Sequence, residues 1–121
     1  MRALHQKYPH CFWSNPDQFF SDGPLVNIGS DFAVMPSMFE PGGIVQHEFF
    51  CAGTPVITFC TGGLKDTVFE FNPKTQKGNG FNFLKYDLED FKWCMRRALD
   101  CYKNKASYEK VRENAAESVV E

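Results

Sequence analysis

The sequence predicts an α/β fold, a parallel sheet with flanking helices, on three observations. Two short apolar runs, Phe32-Ala33-Val34-Met35 and Pro55-Val56-Ile57-Thr58-Phe59, lack polar alternation, as strands covered on both faces do. The stretch between them has room for one crossover helix, and residues 43–52 carry a helical pattern there. Each run is followed by a glycine pair, Gly42-Gly43 and Gly62-Gly63, at what would be a strand's carboxyl end. In an open α/β sheet that rim is where ligands bind.

Taken in order, residues 1–8 read as the end of a helix with Leu4 and Tyr8 on one side. His10-Cys11-Phe12-Trp13 reads as a short strand closed by the turn signal Ser14-Asn15-Pro16-Asp17. Pro24 suits the first turn of a short helix through Leu25, Val26 and Ile28, stopped at Gly29. In the crossover helix Ile44, Val45, Phe49 and Ala52 are spaced for a buried stripe, with Gly53 as the stop. Residues 60–67 read as a second glycine loop and residues 67–71 as a short alternating extended segment. Residues 72–79 form an exposed loop, and Gly80-Phe81-Asn82-Phe83 an edge strand. From Asp87, an N-cap, Leu88, Phe91, Met95, Ala98 and Tyr102 recur at three and four. A last helix, capped by Ser107, carries Tyr108, Val111, Ala115 and Val119.

Composition bounds what such a fold can do. With 121 residues the chain is one domain, 1–121, or part of one. Its 43% hydrophobic and 16% aromatic content supports a packed core, bulky with 13 phenylalanines. A net charge of -2, with no basic run beyond Arg96-Arg97, argues against nucleic acid as a partner. No apolar run approaches the ~20 residues that span a bilayer, and the polar start is unlike a secretory signal, so a cytoplasmic protein is expected. Five cysteines with no close pairing read as free thiols. Cys94 and Cys101, seven apart, share a helix face as core thiols.

The chemistry concentrates at residues 31–53 and 60–67. Without Cβ atoms the glycine pairs let backbone approach a ligand closely, and helix-start N–H groups are unpaired donors that suit a diphosphate. Turn glycines alone remain the blander explanation. Glu40 stands in the first loop, and Glu48 follows after seven intervening residues. Carboxylates would repel phosphate, so they make better sense as acceptors from sugar hydroxyls on either side of it. For Glu48 a solvated helix face is an equal alternative. Asp66-Thr67 could bond a ligand, although a turn cap is the safer reading. His47-Glu48 begins like a zinc-protease helix, but Cys51 stands where its second histidine would be.

Three blocks together resemble the C-terminal domain of the bacterial and plant type of glycogen and starch synthases. They are Ser30-Asp31-Phe32-Ala33-Val34-Met35-Pro36-Ser37-Met38-Phe39-Glu40-Pro41-Gly42-Gly43 with Gln46, Ala52-Gly53-Thr54-Pro55-Val56-Ile57, and Thr61-Gly62-Gly63-Leu64-Lys65-Asp66-Thr67-Val68. The resemblance runs from about residue 13 to the C-terminus. It implies a GT-B fold: two Rossmann-like domains, of which this is part of the second, with the active site between them. It implies a retaining hexosyltransferase without metal or cofactor, moving glucose from ADP- or UDP-glucose to the nonreducing end of an α-1,4-glucan. Glu40 then matches the glutamate at the transferred sugar, and Glu48 the second of the pair, at the ribose. Gly43, Ile44 and Val45 match the loop and helix start whose amides meet the diphosphate. Thr61, Gly62 and Gly63, with Leu64 and Asp66, match the loop around the donor's glucose and phosphates.

Two departures shape the expectation. A cysteine common in bacterial members is Gly42 here. The family's N-terminal domain, which holds the glucan acceptor, has no counterpart in these residues, nor have the arginine and lysine that neutralise the diphosphate. The piece alone is therefore expected to bind donor weakly, to be inactive, and to risk self-association through open sheet edges. A plastid is a possible location. Two other readings stay open: a GT-B transferase of sucrose or lipid glycosylation, and a non-catalytic Rossmann-like binding or scaffold module.

Overall fold

The computed structural model describes residues 2–12, 26, 28–36 and 45–119, apart from the side chains of residues 2, 5, 45 and 62–64. Its elements are α1 (Arg2–Lys7), β1 (Ala33–Met35), α2 (Val45–Cys51), β2 (Val56–Phe59), α3 (Gly62–Thr67), β3 (Gly80–Phe83), α4 (Leu88–Lys103) and α5 (Lys105–Glu117). The strands form one parallel sheet in the order β1-β2-β3. Ala33 pairs with Val56, which pairs with Gly80; Met35 pairs with Thr58, which pairs with Asn82. All three strands therefore point their carboxyl ends the same way, and β3 is an edge strand as the sequence suggests.

Successive residues of β2 face opposite sides, and the core divides accordingly. Ile57 joins Phe71, Phe81, Phe83, Cys94, Ala98, Cys101 and Val111, the cluster covered by α4. Val56 joins Ala33, Met35, Phe50, Val68 and Ala115, the cluster covered by α2. In β2 Val56 and Ile57 are both buried, which is why that run shows no polar alternation. In β1 Val34 is exposed, so that strand is covered on one face only, against the expectation of burial on both.

Local chemistry sets the helix ends. Gly53 closes α2 at φ +70, its N–H bonding to the Phe50 carbonyl and the Thr54 N–H reaching back to Phe49. That pair of bonds is a Schellman closure, and glycine reaches its left-handed conformation without a Cβ penalty. The α5 side chain of Arg112 donates to the Gly53 carbonyl at 3.3 Å, tying the turn to the last helix. Asp87 caps α4 as expected, its carboxylate accepting from the Asp90 N–H at 2.7 Å.

Other expectations fail for identifiable reasons. Residues 10–12 are not a strand: the Cys11 and Phe12 N–H groups fold back on the Tyr8 carbonyl, prolonging the turn after α1. The second glycine loop is mostly helix α3, opened by the Thr61 carbonyl, which accepts from Lys65. Of residues 67–71, Thr67 ends α3 and only Glu70 bridges to β3. The cap of α5 is Asn104, whose side chain accepts from the Ser107 N–H, so Ser107 lies inside the helix and is buried. Asn79 is not exposed but buried at the loop's end. Its amide accepts from Phe69 N–H and donates to the Thr67 carbonyl and Ser118 Oγ.

The buried stripes also differ. On α4 the inward residues are Cys94, Ala98 and Cys101, while Leu88 and Tyr102 are exposed. On α2 they are Gln46 and Phe50, with Phe49 and Ala52 half-buried; Ile44 and the Val45 side chain lie outside the described residues. Of the short helix expected to end at Gly29, residues 26, 28 and 29 are helical, with the Ser30 hydroxyl donating to the Val26 carbonyl.

Candidate functional site

The carboxyl rim of the sheet is built from three exits. After β1 comes Pro36; after β2, Cys60 and Thr61; after β3, the bend at residues 84–87. Because the strands are parallel and in register, these exits lie side by side. The Cys60 N–H continues the ladder to the Phe83 carbonyl at 3.0 Å, holding the second exit beside the third.

The expected site residues divide into two groups. Glu40, Gly43 and Ile44 lie outside the described residues. Val45 opens α2, and Glu48 sits one turn in, exposed to solvent. Thr61 is half-buried just before α3, which Gly62 and Gly63 open and on which Leu64 follows. Asp66 is exposed on the same helix, and Thr67 is its last residue.

What brings the two helices together is Gln46, a residue the pattern of apolar spacing passes over. It is 1% exposed, and its Nε2 donates to Thr67 Oγ1 at 3.2 Å. The first turn of α2 is thus bonded to the last residue of α3. The Gln46 Oε1 is buried without a hydrogen-bond partner among the described residues. The only sequence signal for it was its place in the block of resemblance, where it stands between Glu40 and Glu48.

The bend after β3 is held from α4. Asp90 Oδ2 accepts from the Leu84 and Lys85 N–H groups at 2.7 and 2.8 Å. Those two backbone bonds hold the Asp90 carboxyl below its ordinary range. From this bend the Tyr86 ring meets Phe59, the last residue of β2, edge to face at 4.9 Å between centroids. Its hydroxyl donates to the Pro36 carbonyl at 2.9 Å. Among the described residues, no three of His, Cys, Asp and Glu cluster as a metal site would require. No helix among them is long and apolar enough to cross a membrane.

A parallel sheet covered by helices on both faces, with its loops gathered at the carboxyl rim, is the architecture of the C-terminal domain of a GT-B glycosyltransferase. The structure superposes on the catalytic domain of starch synthase IV from Arabidopsis thaliana, bound to ADP and acarbose, with a TM-score of 0.80 at 28% identity. That match covers 95% of this chain and 24% of the other. Sucrose-phosphate synthase from Thermosynechococcus elongatus superposes with a TM-score of 0.70 at 25% identity, covering 98% of this chain and 28% of that one.

The chain belongs to the family described as Glycosyl transferases group 1, whose profile matches residues 15–118. A glycogen synthase of Finegoldia magna is 43% identical over 123 residues, 96% of this chain and 26% of the relative. One of Koribacter versatilis is 36% identical over 114 residues, 94% of this chain and 24% of the relative. The chain thus spans about a quarter of the length of the curated relatives it matches.

Proposed function

We propose that this chain is the donor-side portion of an α-1,4-glucan synthase. In this reading glucose passes from ADP- or UDP-glucose to the nonreducing end of a glucan, with retention at the anomeric carbon and without metal or cofactor. The observation that carries the reading is the pairing of resemblance and geometry at the carboxyl rim. Thr61, Gly62 and Gly63, which match a nucleotide-sugar site in sequence, follow β2 at its carboxyl end, where an open α/β sheet takes its ligands. Glycogen synthases of two bacteria match nearly the whole chain, and the starch synthase it superposes on was solved with ADP.

In this proposal Glu40 lies against the transferred glucose, where a carboxylate stabilises positive charge developing at the anomeric carbon. Glu48, exposed on α2, accepts from ribose hydroxyls. The backbone at residues 43–45 and 61–63 meets the diphosphate and the glucose, with Leu64 and Asp66 completing that wall. The acceptor glucan is held, and the cations for the diphosphate are supplied, by protein outside these residues. The protein works in a soluble compartment, the cytoplasm or a plastid.

The test is glucose transfer to soluble glucan by the full-length polypeptide that carries this chain. Glu40→Ala is expected to lower the rate about 100-fold or more, and the isolated 121-residue chain to transfer none. A Glu40→Ala protein as active as the parent would remove the site assignment. The likeness to sucrose-phosphate synthase supports a second reading, a GT-B transferase with a small sugar acceptor. Transfer to a soluble sugar in preference to glucan would select it.

A further inference from the structure

The exits of β1, β2 and β3 are joined by one side chain that nothing in the local sequence marks. Tyr86 leaves the bend after β3, lays its ring against Phe59 at the end of β2, and bonds through its hydroxyl to the carbonyl of Pro36, just beyond β1. It crosses the whole described sheet at the rim, between residues 50 apart in the chain. Its own base is stiff. Leu84 and Lys85 N–H groups bond to Asp90, the Asp87 N–H bonds to the Lys85 carbonyl, and Asp87 in turn caps α4. A bend fixed at this many points holds the ring in one place.

Tyr86 is 49% exposed, so its burial contributes little to the core. Its hydroxyl acts on a backbone atom that no other described bond restrains, at the point where the chain departs toward Glu40, four residues on. We infer that Tyr86 is a positioning residue: through the Pro36 carbonyl it fixes the exit of β1 relative to β2 and β3, and so sets the rate of glucose transfer. This rests on the reading of the rim as a glucosyl-transfer site. The diphosphate-facing exit at residues 61–63 receives no bond from the Tyr86 hydroxyl, so donor affinity is expected to be spared.

The experiment uses the full-length polypeptide with soluble glucan, ADP-glucose and UDP-glucose. Tyr86→Phe keeps the ring and removes only the hydroxyl. It is expected to lower kcat about 2- to 10-fold, the factor one hydrogen bond can hold. Donor KM should stay within about twofold and the melting temperature within about 2 °C, since an exposed bond contributes little to global stability. Tyr86→Ala, which also loses the contact with Phe59, should fall at least as far in kcat. Unchanged kcat in Tyr86→Phe overturns the inference, and so does a rise in donor KM alone, which would make Tyr86 a ligand contact. A fall in kcat matched by a large fall in melting temperature also overturns it, as a purely structural role. Glu40→Ala run in parallel separates the two claims. An active Glu40→Ala protein with a slowed Tyr86→Phe protein removes the site reading and keeps the tie; the reverse removes the tie and keeps the site reading.

Discussion

The two faces of the sheet are built from different materials. Under α4 the packing is aromatic: Phe81 meets Phe32 at 6.0 Å and Phe71 at 6.4 Å, and Phe83 meets Phe59 and Phe91 at 5.3 Å each. Under α2 the buried residues are smaller, Ala33, Met35, Val56 and Val68 around Phe50, and Gln46 of α2 is itself buried. Large rings bury the most apolar area and hold their neighbours by edge contacts, so the first face carries most of the stability. The second face carries a buried polar tie between the two helices that open at the candidate site. The aromatic face thus carries most of the stability and, through Tyr86 against Phe59, one tie of the rim, while the Gln46–Thr67 tie comes from α2.

The contrast can be broken most directly at Phe81, which is 2% exposed and central to the aromatic face. Phe81→Ala is expected to cost about 3–5 kcal/mol, lost transfer energy plus a cavity its stiff aromatic neighbours cannot fill. Urea unfolding of the chain measures it. For a domain of this size that is a large share of the total, and the variant is expected to be partly unfolded as purified.

A smaller effect is expected across the sheet. Gln46→Leu removes a 3.2 Å bond to Thr67 but also removes a buried oxygen that has no partner among the described residues. Thr67 keeps a further interaction of its own. One modest hydrogen bond lost against one desolvation cost relieved leaves a net change within about 1 kcal/mol. The same urea titration reads it. A loss as great as that of Phe81→Ala would mean the polar tie supports the fold as much as the aromatic cluster does, and the division of labour would fail.

The division also explains what could be read in the sequence. β2 was legible because it is buried on both faces and does not alternate, whereas β1 was found by its apolar run although Val34 faces outward at 45% exposure. The Asp87 cap was legible because an acidic residue stands just before a long helical period. The cap of α5 was misplaced because Asn104 and Ser107 are both good caps. The choice depends on where α4 ends, and Asn104 serves as the end of one helix and the start of the next. The helix α3 was hidden by its two glycines, which disfavour helix by about 1 kcal/mol each in an interior but much less at an N-terminus. Gln46 was passed over because apolar periodicity cannot rank a polar residue inward. Tyr86 was invisible for a different reason: its partner is 50 residues away, and only the parallel register brings them together. In the candidate site, the sequence supplied the residues through resemblance, while the ties that hold the rim came only from three-dimensional packing.

The smallest effect expected is chemical rather than energetic, and it tests the same contrast by probing how firmly α4 is seated. Cys94 is fully buried on the aromatic face and Cys101 nearly so, whereas Cys11 and Cys51 are exposed and Cys60 is between. Burial raises the Cys94 thiol to about 12 and the Cys101 thiol to about 11, from an ordinary 9.0. The thiolate is the reactive form, so both should resist alkylation at pH 8 while Cys11 and Cys51 label rapidly and Cys60 more slowly. The sign of the pH dependence follows. Folded values above unfolded ones mean that this contribution to stability is complete below pH 9.0 and is lost as pH rises toward 11–12. Mass-resolved labelling over time checks the order. If Cys94 labels as fast as Cys51, α4 separates from the sheet readily, and the aromatic face is not the firmer of the two. If Cys94 waits for global unfolding, its labelling rate measures the stability that face provides.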